Sequence, residues 1–158
     1  MGFKKNLRPV EILLIEDNPG DIRLTIEAFK ESKIANSINI AEDGIEAIKY
    51  LKKKGKFKDK PLPDIILLDL NLPKKGGREV LAETKEDKIL KHIPVVVFTT
   101  SKAEIDILKS YELHANCYIS KPLNINQFIK VVKAIEYFWF SIVRLPVHDY
   151  NAENDKKL

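Results

Sequence analysis

The chain has 158 residues, of which 44% are hydrophobic and 32% are charged, and its net charge is +4. This length suits one domain with its own core and leaves no room for a second, so we expect a folded domain over residues 8–145 and a polar tail over 146–158. The apolar runs are far shorter than the ~20 residues that cross a bilayer, so we expect no membrane segment and a cytoplasmic location. Cys117 is the only cysteine, which excludes an intramolecular disulfide and agrees with a reducing compartment.

The first predicted elements are a strand, an acidic turn and a helix. An apolar run at 10–15 predicts the strand, and Glu16-Asp17-Asn18-Pro19 follows it directly. Asn18 is a favourable helix N-cap and Pro19 is favourable at the first helical position. A helix is therefore predicted to begin at Pro19.

A second strand and helix are predicted next, followed by a basic segment. The strand covers 37–41, and Asp43-Gly44 turns the chain into a helix over about 45–53. Lysine then occupies six of the nine positions from 52 to 60. Phe57 is the one aromatic residue in this segment, and no DNA-recognition helix is recognisable. We therefore favour a solvated linker at 52–60 over a binding patch for nucleic acid or an acidic partner.

The central strand is predicted at 65–69. Its apolar residues are continuous, which is typical of a parallel strand buried on both faces. Asp69 closes this run, and Pro73 with the Gly76-Gly77 pair prevents the strand from continuing. Asp69 is therefore expected at the carboxyl end of a central strand, where open α/β sheets bind ligands.

The rest of the chain repeats the alternation. We predict a helix at 78–85, a strand at 94–98, a helix containing Ile105, Leu108 and Tyr111, and a strand at 117–119. A long last helix is predicted from an N-cap at Asn124 to about Val143. Five strands alternating with five helices indicate a doubly wound α/β fold, with helices on both faces of a parallel sheet.

Polar residues follow four of the predicted strands: Glu16, Asp17, Asp69, Thr99 and Lys121. The carboxyl ends of parallel strands share one edge of the sheet, so these side chains are expected to converge. Two carboxylates about 5 Å apart repel by roughly 3 kcal/mol at an effective dielectric near 20, so three of them need counter-charge. Lys121 supplies one positive charge. The remaining negative charge calls for a divalent cation, and an all-oxygen donor set with room for water and phosphate favours Mg²⁺.

Four motifs together resemble the receiver domain of two-component response regulators. The resemblance runs over about residues 10–139 and implies a flavodoxin-like sheet with strand order 2-1-3-4-5. The motifs are Leu14-Ile15-Glu16-Asp17, Leu68-Asp69-Leu70-Asn71-Leu72-Pro73, Phe98-Thr99-Thr100-Ser101 and Tyr118-Ile119-Ser120-Lys121-Pro122.

This resemblance implies a role for each acidic residue. Asp69 would be the phosphoacceptor for a sensor histidine kinase. Asp17, Asp69 and the backbone carbonyl of Asn71 would bind Mg²⁺, and Glu16 would assist through a water molecule. The chain would then be a phosphoacceptor rather than an enzyme, with at most self-phosphorylation and slow autodephosphorylation.

The other strand ends receive roles by the same resemblance. Lys121 would pair with a phosphoryl oxygen, and Thr99 would donate its hydroxyl to another. Tyr118 would be the switch aromatic that turns inward when Thr99 moves. A cis peptide at Pro122 would direct Lys121 toward the site.

The apolar surface of the last helix is wider than the ~100° stripe that a core-facing helix needs. We interpret the excess as the surface of a homodimer, and the alternative is burial under the chain's own tail. The predicted interface residues are Val131, Ile135, Phe138 and Ile142. The pattern Leu113-His114-Ala115-Asn116-Cys117-Tyr118, with Phe138-Trp139 and Leu145-Pro146 after it, also resembles the small regulators paired with phytochrome-type kinases in cyanobacteria and their prokaryotic relatives. This resemblance implies such a kinase as partner. Because we expect no DNA-binding or enzymatic domain in a chain of this length, we expect output by protein contact, without nucleic acid.

Three other functions are alternatives to this one. A haloacid-dehalogenase-like phosphatase would need a second aspartate where Asn71 stands, and a dinucleotide-binding domain would need several glycines after the first strand, where Gly20 is alone. The remaining alternative is a receiver-fold binding module that dimerises without phosphorylation, against which the intact set of site residues argues.

Overall fold

A computed structural model describes residues 8–32, 34–99, 115–120 and 124–137. Five strands form one sheet in the order β2-β1-β3-β4-β5, and every neighbouring pair is parallel. The predicted flavodoxin-like order is confirmed. The strands are β1 Val10–Ile15, β2 Asn36–Ala41, β3 Ile65–Asp69, β4 Val95–Thr99 and β5 Cys117–Ser120.

Four helices of the described ranges cover this sheet: α1 Pro19–Lys30, α2 Gly44–Leu51, α3 Gly77–Glu86 and α4 Ile125–Glu136. Each begins within a residue or so of its predicted start. The predicted helix with Ile105, the extension of α4 toward Val143 and the predicted tail all lie outside the described residues. None of the described helices is long and apolar enough to cross a membrane.

Three helix starts follow from their capping side chains. The side chain of Asn18 accepts the Asp21 N–H at 3.0 Å, that of Asp43 accepts the Glu46 N–H at 2.7 Å, and that of Asn124 accepts the Gln127 N–H at 2.9 Å. The Glu46 N–H holds the pKa of Asp43 below its ordinary value. Each such cap stabilises its helix by about 1 kcal/mol.

The core lies on both faces of the sheet because side chains alternate along each strand. On one face, β1, β3 and β4 pack against α2 and α3; on the other they pack against α1 and α4. The strand residues on the α2 and α3 face are Leu13, Ile15, Ile66, Leu68, Val95 and Val97. Those on the α1 and α4 face are Ile12, Leu14, Ile65, Leu67, Val96 and Phe98.

The structure corrects one part of the predicted dimer surface. Ile135 is 5% exposed and packs with Phe128 and Val132 in the core on the α1 and α4 face, so its assignment to a dimer interface was wrong. The helix needs this residue to cover its own sheet and α1. Val131 is half-buried beside the same core, while Phe138 and Ile142 lie outside the described residues.

A buried carboxyl group joins the end of α4 to the turn that follows α1. Glu136 is 6% exposed and accepts a hydrogen bond from the Ser32 hydroxyl. Burial raises the pKa of Glu136 above its ordinary value of 4.5, against the opposing effects of the Ser32 hydrogen bond and the Lys133 charge. The folded protein therefore disfavours the ionised form of this side chain.

We expect Glu136→Gln to raise the free energy of unfolding at neutral pH by about 1 kcal/mol, because the variant buries no charge. The gain should vanish as the pH falls below 4.5, where the carboxyl is protonated in both folded and unfolded chains. Urea unfolding of both proteins across this pH range measures the difference. A variant that is less stable than the parent at neutral pH would contradict the expectation.

Candidate metal and phosphoryl site

Three predicted carboxylates meet at the carboxyl edge of the sheet. β1 and β3 are neighbours, and Ile15 pairs with Leu68, so the residues that follow them stand side by side. One carboxylate oxygen from each of Glu16, Asp17 and Asp69 lies within 4.8 Å of the others. Glu16 and Asp69 are buried, at 2% and 7% exposure, while Asp17 is open to solvent. Two of the three carboxylates are thus buried, and the cluster is accessible to solvent at Asp17.

Backbone N–H groups fix two of these carboxylates. Oε2 of Glu16 accepts the N–H groups of Asp17 and Asn18 at 3.2 and 3.3 Å. Oδ1 of Asp69 accepts the Asn71 N–H at 3.2 Å. The residues after each strand therefore turn back onto the carboxylate, which orients it and offsets part of its charge.

The donor set fits a hard divalent cation. At 4.8 Å and an effective dielectric near 20, each pair of carboxylates repels by about 3 kcal/mol. The cluster contains oxygen donors and includes neither histidine nor cysteine, which is the pattern for Mg²⁺ or Mn²⁺ rather than Zn²⁺. A cation here would relieve the repulsion, so the residues present suit such an ion.

The other predicted site residues lie around this cluster or outside the described ranges. Thr99 is 2% exposed at the end of β4, next to β3, whose Asp69 pairs with Phe98. Tyr118, in β5, packs against the core on the α2 and α3 face, with its hydroxyl shielded from solvent. Lys121 and the predicted cis peptide at Pro122 lie outside the described residues.

Two glycines, Gly77 and Gly44, shape the loop between β3 and α3, a role that their sequence pattern does not reveal. The Gly77 N–H donates to the Leu70 carbonyl at 3.1 Å, and a Cβ on Gly77 would lie 2.6 Å from the Asp69 carbonyl oxygen. A Cβ on Gly44 would lie 2.0 Å from the carbonyl oxygen of Lys75. These close approaches hold the loop against β3 and against α2. In the sequence, the Gly76-Gly77 pair indicates the end of a strand and not the close approach to its backbone.

An ion pair and a recess complete the same loop. Lys74 lies 3.4 Å from the carboxylate of Asp43, the N-cap of α2. Beside the carboxylates, a recess of about 390 Å³ opens between the loop and the start of α3. Its lining consists of Leu70, Asn71, Gly76, Gly77, Arg78 and Glu79. The recess therefore adjoins the residues that follow Asp69 in the chain, and these lining residues include none of the three carboxylates.

A parallel sheet in this order, with an acidic cluster at its carboxyl edge, defines the receiver class of signalling domains. The response regulator receiver domain model matches residues 12–133, and the chain belongs to this family. Receiver-domain regulators are phosphoacceptors rather than enzymes in the usual sense.

The similar proteins narrow the class further. The chain is 51% identical to response regulator Rcp1 of Synechocystis sp. over 87% of this chain and 94% of that one. The crystal structure of the phosphorylated cyanobacterial phytochrome response regulator RcpA matches with a TM-score of 0.84 at 51% identity, over 89% of this chain and all of that one. The Mn²⁺-bound form of Rcp1 matches with a TM-score of 0.82 at 50% identity, over 88% of this chain and all of that one. The chain is therefore a receiver-domain response regulator of the Rcp1 type.

Proposed function

We propose that this regulator accepts a phosphoryl group on Asp69 from a sensor histidine kinase, in a reaction that depends on Mg²⁺. The observation that carries the proposal is the cluster of Glu16, Asp17 and Asp69, whose oxygens lie within 4.8 Å at the carboxyl edge of the sheet. Asp69 combines burial with a carboxylate oriented by the Asn71 N–H. A buried, oriented carboxylate next to a cation-binding pair suits phosphoryl transfer, which mainly needs positioning and charge neutralisation.

In the proposed step, an oxygen of Asp69 bonds to phosphorus as the bond from phosphorus to the histidine nitrogen of the kinase breaks. The electron pair of that bond returns to the imidazole. Asp17, Asp69 and the backbone carbonyl of Asn71 would hold the metal, and Glu16 would assist through a water molecule. When bound, Mg²⁺ neutralises phosphoryl oxygens and the carboxylates that face them. The N–H groups of Asp17 and Asn18, which donate to the Glu16 carboxylate, keep it directed at this cluster.

The remaining roles concern the neighbouring strands. Thr99 donates its hydroxyl to a phosphoryl oxygen, and Lys121 pairs with another. Tyr118 responds to the movement of Thr99 by changing its packing against the core on the α2 and α3 face. Support for this coupling comes from the adjacency of β3, β4 and β5, since each strand is paired directly with the next.

The partner we propose is a phytochrome-type histidine kinase in the cytoplasm. The support is the similarity to the cyanobacterial phytochrome regulator RcpA. Output is by protein contact, without a nucleic-acid or membrane ligand.

Incubation with acetyl phosphate and Mg²⁺, followed by intact mass measurement, tests the reaction. We expect one added phosphoryl group, because small phosphodonors supply the same electrophile as the kinase. EDTA should abolish the adduct, since the carboxylates would then repel the incoming phosphoryl oxygens. A protein that stays unmodified with both acetyl phosphate and a purified phosphorylated kinase would instead favour the binding module that works without phosphorylation.

We also propose that the regulator forms a homodimer through the last helix and neighbouring surface, with Val131, Phe138 and Ile142 in the interface and Ile135 in the core. Its support within α4 is the half-buried Val131. Tyr137, directly after the helix, is 66% exposed. An apolar surface of this kind is suited to a two-fold contact.

Val131→Glu is expected to convert the dimer to a monomer, because the interface would then bury a carboxylate from each protomer without a partner. Light scattering coupled to size exclusion measures the mass directly. Lys130→Glu makes a charge change one residue away at an exposed position and should leave the dimer intact. A parent protein that is monomeric at all concentrations, with and without phosphorylation, would overturn the dimer.

A further inference from the structure

The lysine-rich segment 52–60 is held in place by its aromatic residue. Phe57 is 8% exposed and packs against Tyr50 of α2, with ring centroids 5.3 Å apart. The amine of Lys56 lies 5.1 Å from the Phe57 ring centroid. The backbone of the segment forms a short 3₁₀ turn, Gly55–Phe57, anchored by the Lys54 N–H on the Lys49 carbonyl at 2.9 Å. The segment is therefore a structured part of the surface.

This segment carries most of the chain's positive surplus. It has six lysines against one aspartate, a surplus of five, whereas the whole chain has a net charge of +4. All six lysines are exposed. The rest of the chain is therefore close to electrically neutral, and the positive field of the protein is concentrated on this side.

Beside the segment runs a groove of about 380 Å³ along the outer edge of β2. Its lining is Ile38, Asn39, Ile40, Glu46, Tyr50, Lys56, Phe57 and Lys60. The groove is therefore lined by two positive charges, from Lys56 and Lys60, and by one negative charge, from Glu46. Because Tyr50 and Phe57 are 3% and 8% exposed, they form a floor rather than rings on which a base could stack.

The wall of the groove is a sheet edge. β2 is the terminal strand of the sheet, and β1 is its one neighbour among the described strands. Ile38 and Ile40 are partly buried against the core on the α1 and α4 face and also line the groove. As a terminal strand, β2 also has outward backbone N–H and C=O groups along this edge, which can pair with an added strand.

We propose that this groove binds an extended, acidic segment of a partner protein, which adds alongside β2 and places its carboxylates at Lys56 and Lys60. Charge complementarity selects this occupant. The groove also contains Glu46, which would repel a continuous polyanion such as nucleic acid but not a segment that is acidic at one end only.

Binding here would leave the phosphoryl site accessible. The lysine-rich segment leads from α2 to the amino end of β3, whereas Asp69 lies at the carboxyl end of the same strand. The proposed interaction is therefore separate from phosphoryl transfer, and its test does not require a phosphorylated protein.

The test uses two labelled eight-residue peptides. One has four valine and threonine residues followed by four acidic residues, and the other has the acidic residues first, so that parallel and antiparallel pairing with β2 are both possible. Fluorescence anisotropy should show saturable binding of one of them, and hydrogen exchange should slow at residues 38–40. Lys56→Glu with Lys60→Glu should weaken binding roughly tenfold or more. Lys54→Glu with Lys58→Glu changes the same charge on the same segment outside the groove, and should cost at most about threefold through the general field.

Three results would overturn the proposal. Equal losses in the two double variants would indicate diffuse attraction rather than a groove. Tighter binding of a single-stranded oligonucleotide, with the same footprint, would make the ligand a nucleic acid. No binding of either peptide at millimolar concentration would mean that the lysines serve only to discourage pairing at a sheet edge. Circular dichroism of both double variants verifies that these exposed substitutions leave the fold intact.

Discussion

Asp69→Asn is expected to take up no phosphoryl group from acetyl phosphate, whereas Asp17→Asn should still be modified, but roughly 100-fold more slowly. The first variant lacks the nucleophile, because an amide oxygen cannot form the acyl phosphate. The second keeps the nucleophile and loses one cation ligand and its charge. Intact mass followed over time separates a missing acceptor from a slow one.

The same variants should be more stable than the parent in EDTA. Each removes one charge from three carboxylates within 4.8 Å, so we expect a gain on the order of 1 kcal/mol, or about 2–4 °C in Tm. Added Mg²⁺ should stabilise the parent and stabilise Asp17→Asn much less, because at a given Mg²⁺ concentration the stabilisation falls as the dissociation constant rises.

Asp59→Asn is the matched control for both measurements. Asp59 is an exposed aspartate of the lysine-rich segment, remote from the carboxylate cluster. Its substitution should change neither the phosphorylation rate nor the response to Mg²⁺. If Asp17→Asn were modified at the parental rate and gained the same stability from Mg²⁺, the role of Asp17 as a metal ligand would be wrong.

The sequence was sufficient to predict the sheet and the meeting of its acidic residues. Continuous apolar runs mark β3 and β4 as buried on both faces, the apolar run of β1 is interrupted by Glu11, and parallel strands bring their carboxyl ends to one edge. Glu16 and Asp69 then had to be neighbours, because each follows or closes a central strand. These inferences depend on local periodicity and on topology, which a sequence records directly.

Contacts between segments that are distant in the sequence are harder to predict from the sequence. The width of the apolar surface on α4 was visible, but the neighbour that covers each side was not, so Ile135 was placed in an interface although it packs in the core. Phe57 stood alone among lysines, and nothing in the spacing indicated that it would pack on Tyr50. Such packing depends on how α2 and its following turn are placed in space.

Gly76 and Gly77, next to the carboxylate cluster, also have surroundings that cannot be predicted from the sequence. Both residues mark the end of β3 in the sequence, yet only the structure distinguishes their surroundings. A Cβ at Gly77 would meet the backbone of Asp69 and Leu70 at 2.6 Å, whereas a Cβ at Gly76 would have the side chain of Glu79 as its nearest neighbour, at 3.9 Å. Adjacent, identical residues therefore carry different constraints.

Gly77→Ala is expected to lower the free energy of unfolding by about 2 kcal/mol, because the added methyl group collides with backbone atoms that cannot rotate away. The loop would have to move off β3, and it carries Asn71, whose N–H orients the Asp69 carboxylate. We therefore expect slower phosphorylation by acetyl phosphate as well as lower stability. Urea unfolding and the time course of intact mass measure the two effects on the same samples.

Gly76→Ala separates the contact from the general effect of replacing glycine. Gly76 is the N-cap of α3 at a φ of −69°, which alanine adopts readily. Alanine is a poorer N-cap than glycine, but it also lowers the conformational entropy of the unfolded chain, so the two effects should largely offset each other. Its phosphorylation rate should stay at the parental value. If Gly77→Ala matched Gly76→Ala in both stability and rate, the close approach of Gly77 to the Asp69 backbone would not position the phosphoacceptor. A loss in stability alone, with the parental rate retained, would restrict the role of Gly77 to folding.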